Sequence, residues 1–238
     1  MHLELEWGPT GAAALAPYGD MAVVVDTLTF STTVTVAADR GVRVRPYRWA
    51  AAARDDAQRL GATLAVPRSA ARPGDVSLSP STFRTGHGLS RVVLPSPNGS
   101  TICAVLAEAG VAVVVGSLRN RRALADHVCE RGGRILLVPA GERWPDDSLR
   151  PAIEDLWGAG GVVSAVLERD PTVELSDEAL AAAAAYRLVE DRVAEALLAC
   201  PSGQELSGLG YASDVTIAAE LDASAAVPTL RDGWLEPQ

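Results

Sequence analysis

Apolar and polar positions fall in short blocks along the first two thirds of the chain, each block closed by glycine, proline or a hydroxyl residue. Leu3 to Trp7 alternates apolar and acidic residues, which predicts a half-buried strand. Within the Gly/Pro-punctuated stretch Gly8 to Gly19, Ala12 to Ala16 supports a helical turn. Ala22-Val23-Val24-Val25 carries no charge and predicts a strand buried on both faces, with a helix over Val34 to Asp39. Val42 to Pro46 and Ala62 to Val66 read as short strands flanking an alanine-rich helix, Trp49 to Leu60, stopped by Gly61. Arg91 to Leu94, Val111 to Val115 and Arg134 to Pro139 read as buried strands. Helices are predicted over Ile102 to Ala109 and from Gly116-Ser117-Leu118-Arg119-Asn120 to Arg131, where Gly132-Gly133 ends the element.

From Leu149 onward the pattern turns helical. Leu149 to Trp157 is one predicted segment, interrupted by Gly158, Gly160 and Gly161 before Val162 to Glu168. Asp170-Pro171 marks a break. Ser176 to Cys200 reads as one long helix with Ser176 as its cap. Ser202 to Leu209 and Asp214 to Leu221 follow as shorter helices, and Val227 to Leu235 as an extended tail. Pro67 to Ser90 has little periodicity, and an irregular stretch of that length is usually functional or disordered.

Alternating strands and helices predict a three-layer α/β/α fold with a mainly parallel or mixed central sheet. No repeat or linker divides the chain, so residues 1–238 read as a single domain. The crossover rule places the segments that follow the strands along one sheet edge. Those segments are Asp26-Thr33, Ser96-Thr101, Ser117-Asn120 and Ala140-Asp147, all polar.

Composition narrows the picture. Aromatic residues make up 5% and apolar residues 48%, so the core must be built from Ala, Val and Leu. A net charge of −9 argues against a nucleic-acid surface, which needs clustered Lys and Arg. It leaves room for a small anionic ligand, because one arginine or one metal ion reverses the local sign. Cys103, Cys129 and Cys200 are far apart and odd in number, as in a reduced cytoplasmic protein. No signal segment or membrane-spanning apolar run is recognisable, so a soluble cytoplasmic protein without a membrane partner is expected. The composition permits a homodimer.

Asp26 stands where its strand leaves the sheet, beside Ser31, Thr32 and Thr33. A lone acid with hydroxyls and helix N–H groups suits a cation bound to an anion, and equally a helix cap. Asn98-Gly99-Ser100 follows a strand and opens a helix: a ligand-approach loop or an ordinary turn. Ser117 and Asn120 stand at a helix start and suit a cap as well as a ligand. Glu142 follows the Arg134 to Pro139 strand on the edge that carries Asp26. Glu154 and Asp155 are adjacent on a helix, so one can ligate an ion while the other orients it. Their alternative is a solvated acidic face, weakened by the apolar neighbours Ile153 and Leu156-Trp157. Arg68 and Arg72 offer guanidinium groups to an anion. His87, between two glycines, is an exposed loop residue or an acid/base group.

Taken in order, these segments resemble the motifs of the 2-phosphosulfolactate phosphatases. The resemblance runs from Val23-Val24-Val25-Asp26 with Ser31-Thr32-Thr33 through Ser96-Pro97-Asn98-Gly99-Ser100 and Gly116 to Asn120. It continues through Ala140-Gly141-Glu142, Ile153-Glu154-Asp155 with Gly158-Ala159-Gly160, and Ser207 to Tyr211 with Asp214-Val215, ending at Val227-Pro228. It implies a three-layer α/β/α fold and a Mg²⁺-dependent phosphatase that converts 2-phosphosulfolactate to sulfolactate, toward coenzyme M. By position it implies Asp26, Asn98 and Glu154 as catalytic residues, with Asp26, Glu154 and Asp155 at the metal. Arg68, Ser31, Thr32, Gly99, Ser100, Ser117 and Asn120 are the expected substrate contacts. The pattern departs from the family at Thr29, where an arginine is usual, and at Pro67, where a carboxylate is usual. A non-catalytic, metabolite-binding relative is the alternative expectation. Asp26 as a phosphorylated nucleophile is disfavoured, because the second aspartate of that chemistry would stand where Leu28 is.

Overall fold

The computed structural model describes residues 1–48, 50–86 and 88–238. Its first elements are β1 (His2–Leu5), α1 (Gly8–Leu15), β2 (Met21–Val25), α2 (Phe30–Asp39), β3 (Arg43–Tyr47), α3 (Ala50–Arg59) and β4 (Thr63–Leu64). The middle of the chain gives α4 (Pro80–Thr85), β5 (Arg91–Pro95), α5 (Gly99–Glu108), β6 (Ala112–Gly116), α6 (Arg121–Arg131) and β7 (Arg134–Pro139). Then come β8 (Glu142–Arg143), β9 (Leu149–Arg150), α7 (Ile153–Arg169), β10 (Glu174–Leu175), α8 (Asp177–Arg187) and α9 (Val193–Ala199). The chain closes with α10 (Pro201–Gly208), α11 (Ala212–Ala218), β11 (Thr229–Arg231) and β12 (Trp234–Glu236). The expected helix start at Trp49 lies outside the described residues, as does His87.

One mixed sheet has the order β10-β1-β7-β2-β6-β11-β12-β3-β5-β4. Its first five strands pair in parallel. So do β3, β5 and β4. The C-terminal tail is the bridge between these blocks: β11 and β12 form an antiparallel hairpin, and each pairs antiparallel with the block beside it. The second block therefore runs opposite to the first. This corrects the single-edge expectation. Of the four segments expected there, those after β2, β6 and β7 share an edge, and the one after β5 comes from the other block.

The sheet is covered on both faces, which gives the three layers. Ala22 and Val24 of β2 join one core with Ala12, Val34, Ile102 and Leu106 from α1, α2 and α5. Val23 and Val25 join the other with Leu124, Val128, Val162 and Ala182 from α6, α7 and α8. Double-sided burial is why the strand tolerates no polar residue, at roughly 1.5–3 kcal/mol per buried valine.

The C-terminal third departs from the sequence pattern in three places. The glycines of α7 do not interrupt it. A Cβ on Gly160 would lie 2.0 Å from the carbonyl oxygen of Ala182, so the glycine serves the close approach of α8. The helix also starts later than expected: Leu149–Arg150 pairs with Glu142–Arg143 as a small hairpin, and Pro151 disfavours the helical conformation at Arg150. The predicted helix from Ser176 to Cys200 is broken into α8, a 3₁₀ turn at Glu190–Arg192, and α9. The break lets Tyr186, Val193 and Leu197 turn into one cluster with Leu118 and Val215. Ser176 caps α8 as expected, accepting from the Ala179 N–H at 3.2 Å. The irregular stretch after Pro67 is anchored by Val76 and Phe83 in the core and contains α4.

Candidate active site

β2 ends at Val25, and the next residue is the centre of a closed hydrogen-bonded turn. The Asp26 N–H donates to Ser31 Oγ at 2.8 Å, and that hydroxyl donates to the Val24 carbonyl at 3.1 Å. The Thr32 hydroxyl donates to the Thr27 carbonyl at 2.8 Å. Ser31 and Thr32 are buried in building this turn rather than turned toward a ligand. The turn fixes the Asp26 carboxylate, which accepts from the Phe30 N–H at 3.1 Å and from the Gly99 N–H at 3.0 Å. Position 99 has no room for a side chain, since a Cβ there would lie 2.2 Å from Phe30 Cδ1.

Asn98, one residue before, donates to Glu142 Oε2 at 3.2 Å and accepts from Arg143 Nε at 3.4 Å. Ser100 is buried and donates to the Leu94 carbonyl at 3.3 Å. Glu154 and Asp155 open α7 and are both buried. Each oxygen of Asp155 accepts a backbone N–H: Thr27 at 2.7 Å and Gly141 at 2.8 Å. The Glu154 carbonyl accepts from the Thr27 hydroxyl at 3.0 Å. The loops after β2, β5 and β7 are thus tied together through Asp26, Asn98 and Asp155.

The electrostatics follow from packing like charges out of water. Burial pushes Asp26 up to about 6, and Glu154 adds to this, against the N–H groups of Phe30 and Gly99 and the Arg68 charge. Burial, then the charge of Asp26, pushes Glu142 up to about 7. Asp155 is held well above the carboxylate range by burial, then by Asp26 and Glu154. The Cys200 thiol, driven up to about 12 by burial, lies beside the Glu154 carboxylate and is unreactive.

Arg68 brings a positive charge to the Asp26 end of the site. Its guanidinium lies 3.4 Å from the buried Asp214 carboxylate, stacks 5.7 Å from the Tyr211 ring centre, and donates to the Thr29 hydroxyl. Arg72 is exposed, and its N–H is used by Asp75 in a local turn. Ser117 and Asn120 stand apart from the acids. They form a reciprocal helix cap, and Asn120 also donates to the Ala226 carbonyl at 2.9 Å, fastening the C-terminal segment.

The sequence placed Glu142 on the edge that carries Asp26 without giving it a role, and it gave none to Thr27, nor to Tyr211 and Asp214 beyond their place in the family motifs. The hydrogen bonds of Thr27 to positions 154 and 155 and the ion pair of Arg68 with Asp214 span more than a hundred residues, so no local pattern signals them.

The fold and site together define a three-layer α/β/α protein with buried carboxylates and the Arg68 guanidinium gathered by the loops that follow its strands. The family model for 2-phosphosulpholactate phosphatase matches residues 12–233, and the chain belongs to that family. It is 31% identical over 219 residues to the 2-phosphosulfolactate phosphatase of Methanothermobacter thermautotrophicus, covering 91% of this chain and 89% of that protein. A probable 2-phosphosulfolactate phosphatase of Deinococcus radiodurans is 30% identical over 230 residues, covering 91% of this chain and 90% of the relative. One from Carboxydothermus hydrogenoformans is 31% identical over 180 residues, covering 74% and 71%. Among the described residues, no helix is long and apolar enough to cross a membrane.

Proposed function

We propose that this chain is a Mg²⁺-dependent phosphatase of a small acidic phosphomonoester, 2-phosphosulfolactate or an analogue. The observation that carries the reading is the pile-up of Asp26, Glu142 and Glu154 at the end of β2, in a chain whose relatives bear phosphatase names. Asp26 and Glu142, buried and each pushed up in part by a neighbouring carboxylate, have too little positive charge around them, and a divalent cation would supply it.

The donor set fits magnesium in type and charge. Among the described residues, no three His, Cys, Asp or Glu side chains lie together at ligating distance. Magnesium does not need three, because it keeps several waters and binds through one or two carboxylates plus substrate phosphate. Asp26 and Glu154 would hold it, and Glu142 stands near enough to feel their charge without completing a three-acid cluster. Bound there, it would polarise the phosphoryl group and lower the pKa of the attacking water.

The remaining work falls to the protein. Asn98 orients Glu142 through its amide N–H, and Asp155 fixes the backbone on both sides of the site. Arg68, held by Asp214, presents positive charge for the substrate's second anion. Catalysis rests on positioning and charge stabilisation.

The test is phosphate release from 2-phosphosulfolactate by purified protein with Mg²⁺ and with a chelator, repeated for Asp26→Asn. Release that needs Mg²⁺ and falls on the order of 10²-fold or more in the variant supports the proposal. Binding of the compound without any release would mark a metabolite-binding relative instead.

A further inference from the structure

Next to the carboxylates lies a cavity of about 700 Å³, within the range of small-molecule sites. Two of its lining residues, Arg68 and Ser202, carry a buried polar atom that makes no hydrogen bond among the described residues. Arg68 spends its Nη2 on the Thr29 hydroxyl and, at 3.4 Å, on the Leu78 carbonyl. Its Nε lies 3.4 Å from the Asp214 carboxylate, close enough for attraction between charges but not aligned for a hydrogen bond. Ser202 stands in the first turn of α10, is 5% exposed, and has no partner for its hydroxyl. Cys200 caps the same turn, accepting from the Gly203 N–H at 3.4 Å, and lies beside the Glu154 carboxylate. The positive end of α10 is therefore turned toward the acids.

A buried donor without an acceptor is destabilising, and two in one cavity wall call for an acceptor that enters the cavity. The donors specify its chemistry. A guanidinium N–H, a hydroxyl and a helix N-terminus together suit an oxyanion. Leu28, Leu78 and Leu206 line the same space and keep its dielectric low, which strengthens each bond once it is made. A serine hydroxyl needs only one torsion to follow an incoming oxygen.

We propose that Ser202, acting with Arg68 at the first turn of α10, is a specificity-determining residue that receives the substrate's non-reacting oxyanion, a sulfonate or carboxylate carried beside the phosphate. The inference rests on the phosphatase reading given above and deepens it. Arg68 alone supplies a charge; the pair fixes where the second anion stands while the phosphate lies at the Asp26 and Glu142 end. An ester without that group leaves both donors unpaired in the closed wall, and the site discriminates against it for that reason.

The test uses the full chain with Mg²⁺, unmodified and as Ser202→Ala, and measures kcat and KM for 2-phosphosulfolactate, 2-phospholactate and ethyl phosphate. These carry both further anions, the carboxylate alone, and neither. Ser202→Ala is expected to lower kcat/KM for 2-phosphosulfolactate roughly tenfold more than for ethyl phosphate, through KM. A matching loss with 2-phospholactate assigns the subsite to the carboxylate, and a smaller one assigns it to the sulfonate. An equal effect on 2-phosphosulfolactate and ethyl phosphate, or a loss confined to kcat, overturns the proposal and leaves the phosphatase reading intact. Because the hydroxyl is unpaired, ligand-free Ser202→Ala should melt no lower than the unmodified protein. A lower Tm means that the hydroxyl serves the fold, and also overturns the proposal. If none of the compounds releases phosphate, the phosphatase reading fails, and calorimetric titration with sulfolactate decides the subsite. Binding weakened roughly tenfold by Ser202→Ala supports it, and binding that is unchanged or absent overturns it.

Discussion

Asp155 joins stability to the site, and replacing it gives the sharpest test of the architecture. Its oxygens accept from Thr27 N–H at 2.7 Å and Gly141 N–H at 2.8 Å, and these donors are the chain neighbours of Asp26 and Glu142. A hydrogen bond to a charged group contributes about 1.5–3 kcal/mol, so Asp155→Ala, which orphans both donors, removes about 3–6 kcal/mol. Asp155→Asn keeps one acceptor but turns an N–H against the other donor, a loss of about 1–3 kcal/mol. Relief of the buried charge offsets part of either loss, because burial and the neighbouring acids hold this carboxyl well above its ordinary pKa. The expected order of stability is wild type, then Asn, then Ala. Urea unfolding reads it: with a slope of about 2–3 kcal/mol/M, a net loss of 2 kcal/mol lowers the midpoint by somewhat under 1 M. Phosphate release should fall further than substrate affinity, since the loops that carry Asp26 and Glu142 relax while Arg68 stays in place. An Asp155→Ala protein with the wild-type midpoint and rate would refute the clamp.

Three further outcomes follow from the same geometry. Metal-free protein should lose thermal stability as pH rises from 5 to 8. The folded values of Asp26, about 6 against 3.8, and Glu142, about 7 against 4.5, are both raised, so their contribution is complete below the unfolded values and lost as pH passes through the folded ones. Melting curves in chelator check this, a steady rise in Tm over that range contradicts it, and added Mg²⁺ should flatten the loss. Asp26→Asn should match or exceed wild-type stability without metal at pH 8 while abolishing turnover. A shift of about two pKa units corresponds to roughly 3 kcal/mol, against about 1 kcal/mol for one lost N–H bond. Thermal melts in chelator compare the two proteins, and a variant clearly less stable than wild type would count against a buried charge at Asp26. Gly99→Ala should cost about 1–3 kcal/mol by driving a methyl group into Phe30, and should slow phosphate release by displacing the N–H that Asp26 accepts.

How much of this was legible beforehand depends on the range of the interaction that decides each feature. Met21–Val25 was readable because burial on both faces leaves a continuous apolar run. Asp26 was readable as the residue at which the chain leaves the sheet, because it follows that run directly. The roles of Ser31, Thr32, Ser117 and Asn120 were not: a hydroxyl that closes a turn and one that holds a ligand look the same in a sequence, and here the turns and caps use them. The glycines of α7 misled for a related reason. Propensity marks glycine as a helix breaker, but contact with the Ala182 carbonyl, a residue of another helix, is what demands one. The reversal of the second parallel block was hidden because the hairpin that causes it is the last segment of the chain, inserted at the middle of the sheet.

The same distinction of range changes the meaning of Thr29. Read locally, it is an uncharged residue three positions past Asp26, where an arginine would supply an anion contact. In the folded chain the Arg68 guanidinium donates to that hydroxyl, and the Arg68 charge acts on Asp26 to oppose the rise caused by burial. The positive charge is therefore present at this end of the site, delivered by a different segment and held in place by Asp214 from a third. An arginine supplied locally would be oriented by its own turn. One supplied from a loop depends on Asp214, whose carboxyl is itself fully buried and bonded to Ser79 at 2.5 Å. Asp214→Asn should then leave the Asp26 turn intact yet free the guanidinium, raising KM for an anionic substrate more than it lowers kcat. A fall in kcat at constant KM would mean that Arg68 acts on the reacting phosphate rather than on the substrate's other end.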